Sequence, residues 1–190
     1  SRLVSLIGTA GVGKTRLSLE IVNSIQRKNR QSFFCELAAA NDELGIARLV
    51  AKALDIRLKN KDPIGQLGEY FANESTVLTL DTVEKVVGVI GTTITRWLNA
   101  ASSLVIVVTS RVRLNIDEET PFTIQPLTTL EALELFTKRG QIANAQFDLS
   151  SDNRLIVGRV IEQLDRLPLA IELAAARLNT FPVIEIEKRL

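Results

Sequence analysis

The sequence contains no histidine, no methionine and only one cysteine among its 190 residues. The lack of histidine excludes a Ser–His–Asp triad and, with a lone cysteine, nearly excludes a structural zinc site. One cysteine also excludes an internal disulfide bond, which favours a reducing, cytoplasmic location. We interpret Cys35, inside the apolar run SFFCEL, as a small buried residue rather than a reactive thiol.

Long apolar segments and charge of one sign are missing as well. No apolar stretch approaches the roughly 20 residues of a membrane span, and the N-terminal SRLVSLIG does not resemble a signal peptide. With 23 basic and 22 acidic residues the net charge is +1, which gives no reason to expect a dominant DNA-binding surface. Because no apolar span is present, we expect no membrane contact. Since methionine is missing even at position 1, we expect a piece of a larger protein.

Strand and helix patterns alternate through residues 1–127, which predicts an α/β domain with a parallel sheet. SLVIVVTS is the most apolar strand pattern and is expected at the centre of the sheet, whereas the proline-bounded PFTIQPL is expected near an edge. The predicted strands, in order, are RLVSLIG, SFFCEL, TVLTLD, SLVIVVTS and PFTIQPL.

Residues 128–190 carry only helical patterns and are predicted to form a separate helical lobe. Thr128 or Thr129 is expected to cap its first helix, as Asn41 or Asp42 is expected to cap a helix of the α/β domain. A break is predicted at Pro168, and PVIEIEKRL is expected to start a helix that the chain end interrupts.

The segment GTAGVGKT matches the phosphate-binding pattern G-x-x-x-x-G-K-[ST] and lies between a predicted strand and a predicted helix. Glycines let main-chain N–H groups point at phosphate oxygens, and the helix N-terminus favours the same anion. Lys14 is expected to contact the β- and γ-phosphates, and the Thr15 hydroxyl to bind Mg²⁺. The alternative interpretation of GTAGVGKT is a glycine-rich turn with a surface lysine and no ligand. The expected nucleotide-binding residues are Gly8, Thr9, Ala10, Gly11, Val12, Gly13, Lys14, Thr15 and Arg16.

Asp81 ends the third predicted strand, where an aspartate of P-loop proteins holds Mg²⁺. Thr82 follows it and cannot act as a base, so we expect slow hydrolysis. Glu84, in the first turn of the next helix, either approaches the water that attacks the phosphate or only stabilises that helix N-terminus through its negative charge. Arg111, after the fourth strand, is expected to distinguish triphosphate from diphosphate through a charge-assisted hydrogen bond.

Five blocks together resemble the STAND-class signalling ATPases, in particular the nucleotide-binding domain of bacterial STAND transcriptional regulators, which is related to NB-ARC domains. These blocks are GTAGVGKTRL, LTLDTVEKV, VVTSRVRL, IQPLTTLEALELF and LDRLPLAIELAAARL.

The resemblance implies an additional-strand P-loop NTPase sheet, α/β in class, with strand order 5-1-4-3-2 and a helical lobe that closes over ATP or ADP. It implies that Lys14 belongs to the phosphate loop, that Asp81 is the Mg²⁺ aspartate, that Arg111 is the sensor arginine and that Pro168 contacts the nucleotide near its base or ribose. It also implies that DNA is bound only through other domains of the full-length protein. Arg166 stands where the family usually has glycine, and the family segment upstream of the first strand is absent.

Three functions remain open. The first is an ATP-dependent switch of a signalling or transcription-regulatory protein, with Lys14, Asp81, Glu84 and Arg111 as catalytic residues and self-association in the ATP state. The second is a phosphotransferase or GTPase, although NKDP at 60–63 is a poor match to a guanine-binding motif. The third is a nucleotide-binding scaffold without turnover.

Overall fold

A five-stranded parallel sheet organises the first two-thirds of the chain in the computed structural model, which describes residues 1–59 and 61–190. The strand order β2-β3-β4-β1-β5 confirms the expected order 5-1-4-3-2, counted from the other edge. The apolar β4 is central and β5 lies at an edge, both as predicted. Asn60, where the NKDP segment starts, lies outside the described residues. The strands are β1 (Leu3–Ile7), β2 (Gln31–Glu36), β3 (Thr76–Asp81), β4 (Val105–Ser110) and β5 (Glu119–Thr123).

Eight α-helices surround or follow the sheet within the described residues. The Asp42 side chain accepts a hydrogen bond from the Gly45 N–H and caps α2. Thr128 and Glu131 form a capping box at the start of α5, so both helix starts lie at predicted positions. The helices are α1 (Lys14–Gln26), α2 (Glu43–Ala53), α3 (Pro63–Asn73), α4 (Val87–Ala100), α5 (Thr129–Ala143), α6 (Ser151–Gln163), α7 (Pro168–Ala176) and α8 (Val183–Lys188).

Alternating residues of the strands separate two apolar layers. In β4, Ile106 and Val108 pack with α2, α3 and α4, whereas Val107 belongs to a smaller cluster with Ile21 and Ile25 of α1. Strands buried on both faces are largely apolar, which explains why β3 and β4 were recognisable as short apolar runs. Because β1, β3 and β4 run parallel, their carboxyl ends lie together along one side of the sheet, which we call its carboxyl edge.

Two boundaries differ from the sequence prediction. The pattern PFTIQPL placed β5 at 121–127, but β5 pairs with β1 over Glu119–Thr123. As a partly exposed edge strand it does not need apolar residues at its start. Glu84 was expected in the first turn of α4, but α4 begins at Val87, because Thr82 has a left-handed backbone and a turn occupies 84–86.

The chain divides into two compact units, which are Ser1–Gly8 with Lys14–Ile124 and Thr9–Gly13 with Gln125–Leu190. The second unit has its own core, to which α5, α6, α7 and α8 contribute Phe136, Val160, Ile171 and Ile186. Among the described residues, no helix is long and apolar enough to cross a membrane.

Within the second unit, the turn before α7 contains two consecutive residues with positive φ, Asp165 at 51° and Arg166 at 54°. The Arg166 N–H donates to the Ile161 carbonyl, and its own carbonyl accepts from the Leu127 N–H. The turn therefore adopts the glycine-favouring conformation with arginine in that place. Pro168 then occupies the first turn of α7, in agreement with the predicted break.

Candidate nucleotide-binding site

The loop Gly8–Thr15 connects β1 to α1, as its motif predicted. Gly11 and Gly13 have φ values of 80° and 104°, which side chains rarely adopt. A Cβ at Gly13 would meet nothing within 4 Å, so the backbone conformation alone explains glycine there. The Gly8 N–H donates to the Ser110 carbonyl over 3.3 Å and fixes the start of the loop beside the end of β4.

Lys14 opens α1 and turns back over the loop. Its Nζ donates to the Gly8 carbonyl oxygen over 2.8 Å. Burial lowers the pKa of Lys14, Arg111 lowers it further, and the carboxylates of Glu84 and Asp81 act in the opposite direction. The ammonium thus lies in a field made by one arginine and two acids. An anion at this position would add a partner for both cations.

At the carboxyl edge, the Asp81 side chain accepts hydrogen bonds from three threonine hydroxyls. It is only 2% exposed, and its carboxylate accepts from the Thr15 hydroxyl at 2.9 and 3.0 Å. The Thr109 hydroxyl donates to Oδ1 over 2.7 Å and the Thr82 hydroxyl to Oδ2 over 3.0 Å. The sheet therefore brings together Thr15 and Asp81, which the sequence predicted separately as metal ligands.

The chemistry of this pair fits a magnesium ion. A hydroxyl oxygen and a carboxylate oxygen are the hard ligands that Mg²⁺ accepts, and the ion usually takes few protein ligands beside water and phosphate. No group of three or more His, Cys, Asp or Glu side chains is suitably clustered in residues 1–59 and 61–190.

Glu84 and Arg111 lie at the same edge. Arg111 Nε is 3.8 Å from Glu84 Oε1, and the arginine side chain is 64% exposed. In the described part of the chain, Glu84 Oε2 is buried and has no hydrogen-bond partner. Glu84 lies in the turn before α4, so its expected position in the first turn of that helix is wrong. It still approaches Lys14 closely enough to influence the pKa of that lysine.

The remaining predicted binding residues lie in the loop, on α1 and at the start of α7. Arg16 is exposed on the first turn of α1, and Pro168 begins α7 in the second unit. In that unit, the N–H of Leu169 donates to the Gly11 carbonyl over 3.2 Å, and a Cβ on Gly11 would lie 3.3 Å from Leu169 Cβ. Thr9 and Ala10 are exposed, whereas Val12 is buried.

Sequence reasoning assigned no role to Thr109, the next-to-last residue of β4. Thr109 is 1% exposed. Its hydroxyl donates to Asp81 and accepts from the Thr82 N–H over 2.8 Å. The available signal was the pair of polar residues, Thr109 and Ser110, that close an otherwise apolar buried strand, because buried hydroxyls need partners.

Comparison with known proteins was made by sequence and by structure. No family model matches the chain. A protein of Mycobacterium tuberculosis whose name describes it as an HTH-type transcriptional regulator is 30% identical over 188 residues, covering 98% of this chain and 21% of the relative. An uncharacterised protein of the same species is 31% identical over 188 residues, covering 97% of this chain and 48% of the relative. The chain thus spans half or less of these relatives.

Solved structures share the fold at low identity. A chain of the Drosophila ORC structure bound to DNA aligns with a TM-score of 0.71 and 13% identity, covering 100% of this chain and 58% of the other. The Aeropyrum pernix ORC2 protein in ADPNP–ADP complexes gives 0.61 and 14%, covering 98% and 60%. A Pyrococcus horikoshii STAND protein with a tetratricopeptide repeat sensor gives 0.56 and 15%, covering 99% and 30%. The chain has the fold of P-loop ATPases.

Proposed function

We propose that this chain is an ATP- and ADP-binding, slowly hydrolysing switch module of a larger regulatory protein of the STAND class. The observation that carries the proposal is the contact between Thr15, at the end of the phosphate-loop motif, and Asp81, at the end of β3. A glycine-rich turn with a surface lysine would not require a buried aspartate at that hydroxyl. The similarity to the STAND structure and to the regulator from M. tuberculosis supports the class.

Each residue of the site has a role in this proposal. Main-chain N–H groups of the loop and the Lys14 ammonium bind the β- and γ-phosphates. Thr15 and Asp81 hold Mg²⁺, which would neutralise charge on the phosphates. Arg111 contacts the γ-phosphate and thereby distinguishes ATP from ADP. Pro168 is the proposed contact for the base or ribose, and its neighbour Leu169 bonds to Gly11 of the loop.

Hydrolysis is proposed to be slow, below about one turnover per second. The residue after Asp81 is Thr82, which has no basic group and whose hydroxyl donates to Asp81. Glu84 is an acid close to Arg111 and outside the metal pair, and the carboxylate of its partly exposed side chain is a candidate to accept a proton from water. The slow rate suits a switch, because each nucleotide state persists long enough to be detected by other domains.

Regulation would follow from different affinities of ATP and ADP for two states of the full-length protein, since a ligand shifts an equilibrium only by its differential affinity. We assign self-association to the ATP state. DNA binding is assigned to segments that the longer relatives have beyond the matched region. This chain has a net charge of +1 and offers little electrostatic attraction to DNA.

Equilibrium binding of ATP and ADP, with and without Mg²⁺, tests the proposal through Lys14→Ala. This change removes the ammonium that faces the phosphates, and ATP affinity should fall at least about 100-fold. Lys28→Ala is the matched control, since Lys28 is exposed just after the same helix and loses the same charge. Binding that is equal in both variants, with native circular dichroism, would reject the proposal.

A nucleotide-binding scaffold without turnover is the second candidate. The Thr82 hydroxyl favours it, because it donates its hydrogen bond to Asp81. Phosphate release decides between the two candidates. A scaffold predicts equal ATP and ADP affinities and no release above that of Asp81→Ala. The switch predicts unequal affinities and slow release that Asp81→Ala removes.

A further inference from the structure

Thr82 has an unusual backbone for its residue type. Its φ is 62°, in the left-handed region that β-branched residues rarely occupy because Cβ crowds the carbonyl oxygen. Such conformations persist only where surrounding contacts hold them, and they concentrate at functional sites. Thr82 directly follows Asp81, so the strain lies at the proposed metal ligand.

Thr109 holds this backbone in place from the neighbouring strand. The Thr82 N–H donates to the Thr109 hydroxyl over 2.8 Å, and the Val83 N–H donates to the Thr109 carbonyl over 3.3 Å. Both amides that follow Asp81 are therefore bound by one buried residue of β4. No glycine is needed, because these bonds offset the cost of the left-handed turn.

The same two threonines hold the Asp81 side chain. The Thr109 hydroxyl donates to Oδ1 over 2.7 Å and the Thr82 hydroxyl donates to Oδ2 over 3.0 Å. With both oxygens bound, the carboxylate cannot rotate without breaking a hydrogen bond to a charged group. The left-handed turn is what brings the Thr82 hydroxyl back to the residue before it.

We propose that Thr82 and Thr109 are positioning residues that lock the Asp81 carboxylate in the orientation that binds the divalent cation of a bound nucleotide. A second consequence concerns catalysis. The strained turn directs side chain 82 toward Asp81, so an acid placed there would face Asp81 and would not activate a water. This inference rests on the proposed function, because it assigns the Asp81 site to the cation of the nucleotide.

The test measures how much Mg²⁺ strengthens ATP binding, as the ratio of Kd in EDTA to Kd in Mg²⁺. Thr109→Val removes the hydroxyl at nearly constant shape and should lower this ratio about tenfold while Kd in EDTA stays within about twofold of wild type. Thr109→Ser keeps a hydroxyl and should restore the ratio. Thr82→Val and Thr82→Ser should behave in the same way. An unchanged ratio in both valine variants, or equal losses with and without Mg²⁺, would overturn the proposal.

The catalytic consequence is tested with Thr82→Glu. Turnover at or below that of the wild type supports the inward direction of side chain 82, and a rise of about tenfold or more contradicts it. If the wild type binds ATP but Mg²⁺ adds nothing, the positioning role is rejected and nucleotide binding stands.

A nucleotide-free measurement separates this inference from the proposed function. Thr82→Gly and Thr82→Ala both lose the hydroxyl, but only alanine retains the strained Cβ. Thr82→Gly should therefore unfold about 2–4 °C above Thr82→Ala. A chain that binds no ATP but shows this difference contradicts the proposed function and supports the strained turn. Equal melting temperatures would reject the turn even in a chain that binds ATP.

Discussion

At the scale of single residues, Lys14 lies among the charges of Arg111, Glu84 and Asp81. Arg111 Nε lies 3.8 Å from Glu84 Oε1, and the arginine side chain is largely exposed. Its guanidinium is therefore free to move from Glu84 to a ligand that offers shorter hydrogen bonds. A partly exposed pair at such a distance contributes little to stability. A γ-phosphate would offer several oxygens at hydrogen-bond distance, which is a stronger interaction for arginine.

Arg111→Ala is therefore expected to weaken ATP binding about tenfold and to leave ADP binding within about twofold, since ADP lacks the γ-phosphate. Isothermal titration calorimetry with both nucleotides provides the measurement. Arg113→Ala is the control, because Arg113 is also exposed and follows the same strand. Equal losses for ATP and ADP would show that Arg111 does not sense the γ-phosphate.

Cys35 gives a prediction that does not depend on nucleotide. It is 3% exposed, and burial, with a smaller effect of Glu36, raises its pKa from 9.0 to about 12. Alkylation by iodoacetamide at pH 8 should be about 1,000-fold slower in the folded than in the unfolded chain, because the thiolate reacts.

The same thiol makes stability depend on pH. Between pH 9 and 12 the unfolded chain releases the Cys35 proton while the folded chain retains it, so this contribution to stability falls as pH rises above about 9. Cys35→Ala should remove that part of the pH dependence in thermal unfolding. Rapid alkylation of the folded chain would show that the thiol is accessible.

At the scale of elements, the sequence predicted what depends on local pattern. Short apolar runs located β3 and β4 because both faces of these strands are buried, and Asp42 and Thr128 marked helix starts because caps act locally. The start of β5 was misplaced because its position depends on pairing with β1. The motif identified Thr15 and the strand end identified Asp81. The role of Thr109 could not be seen, since it depends on which residues of β3 and β4 become neighbours.

The turn before α7 carries a prediction at this scale. Arg166 has a φ of 54°, and its Nε lies 3.7 Å from Glu162 Oε2, which is long for an ion pair. Arg166→Gly should raise the free energy of unfolding by about 1 kcal/mol and Tm by about 2–4 °C, because glycine adopts this conformation without a steric cost. Chemical and thermal unfolding measure the change.

Arg166→Ala separates strain from the loss of the arginine side chain. Alanine removes the ion pair and the buried Nε, but its Cβ retains the steric cost of positive φ. The glycine variant should therefore be more stable than the alanine variant. If the glycine and alanine variants have the same Tm and the same free energy of unfolding, the arginine side chain rather than the backbone determines the stability of this turn.

At the scale of the whole molecule, the chain consists of two units that each bury a core of their own. The cluster around Asp81 belongs to the first unit, which contains Lys14, Thr15, Glu84, Thr109 and Arg111. Hydrogen bonds at this cluster join α1, β3 and β4. A ligand that binds the native site and not the unfolded chain stabilises the folded state by mass action, in proportion to the logarithm of its concentration.

ATP with Mg²⁺ at 100 times its Kd should therefore stabilise the chain by about 2.7 kcal/mol and raise Tm by roughly 5–10 °C. Differential scanning fluorimetry over a nucleotide series provides the measurement. Lys14→Ala should lose most of the shift and Lys28→Ala should keep it, because only Lys14 faces the phosphate loop. ADP at the same multiple of its own Kd should give the same shift, since mass action depends only on that ratio. An equal rise in Lys14→Ala would mean that the nucleotide binds elsewhere on the chain.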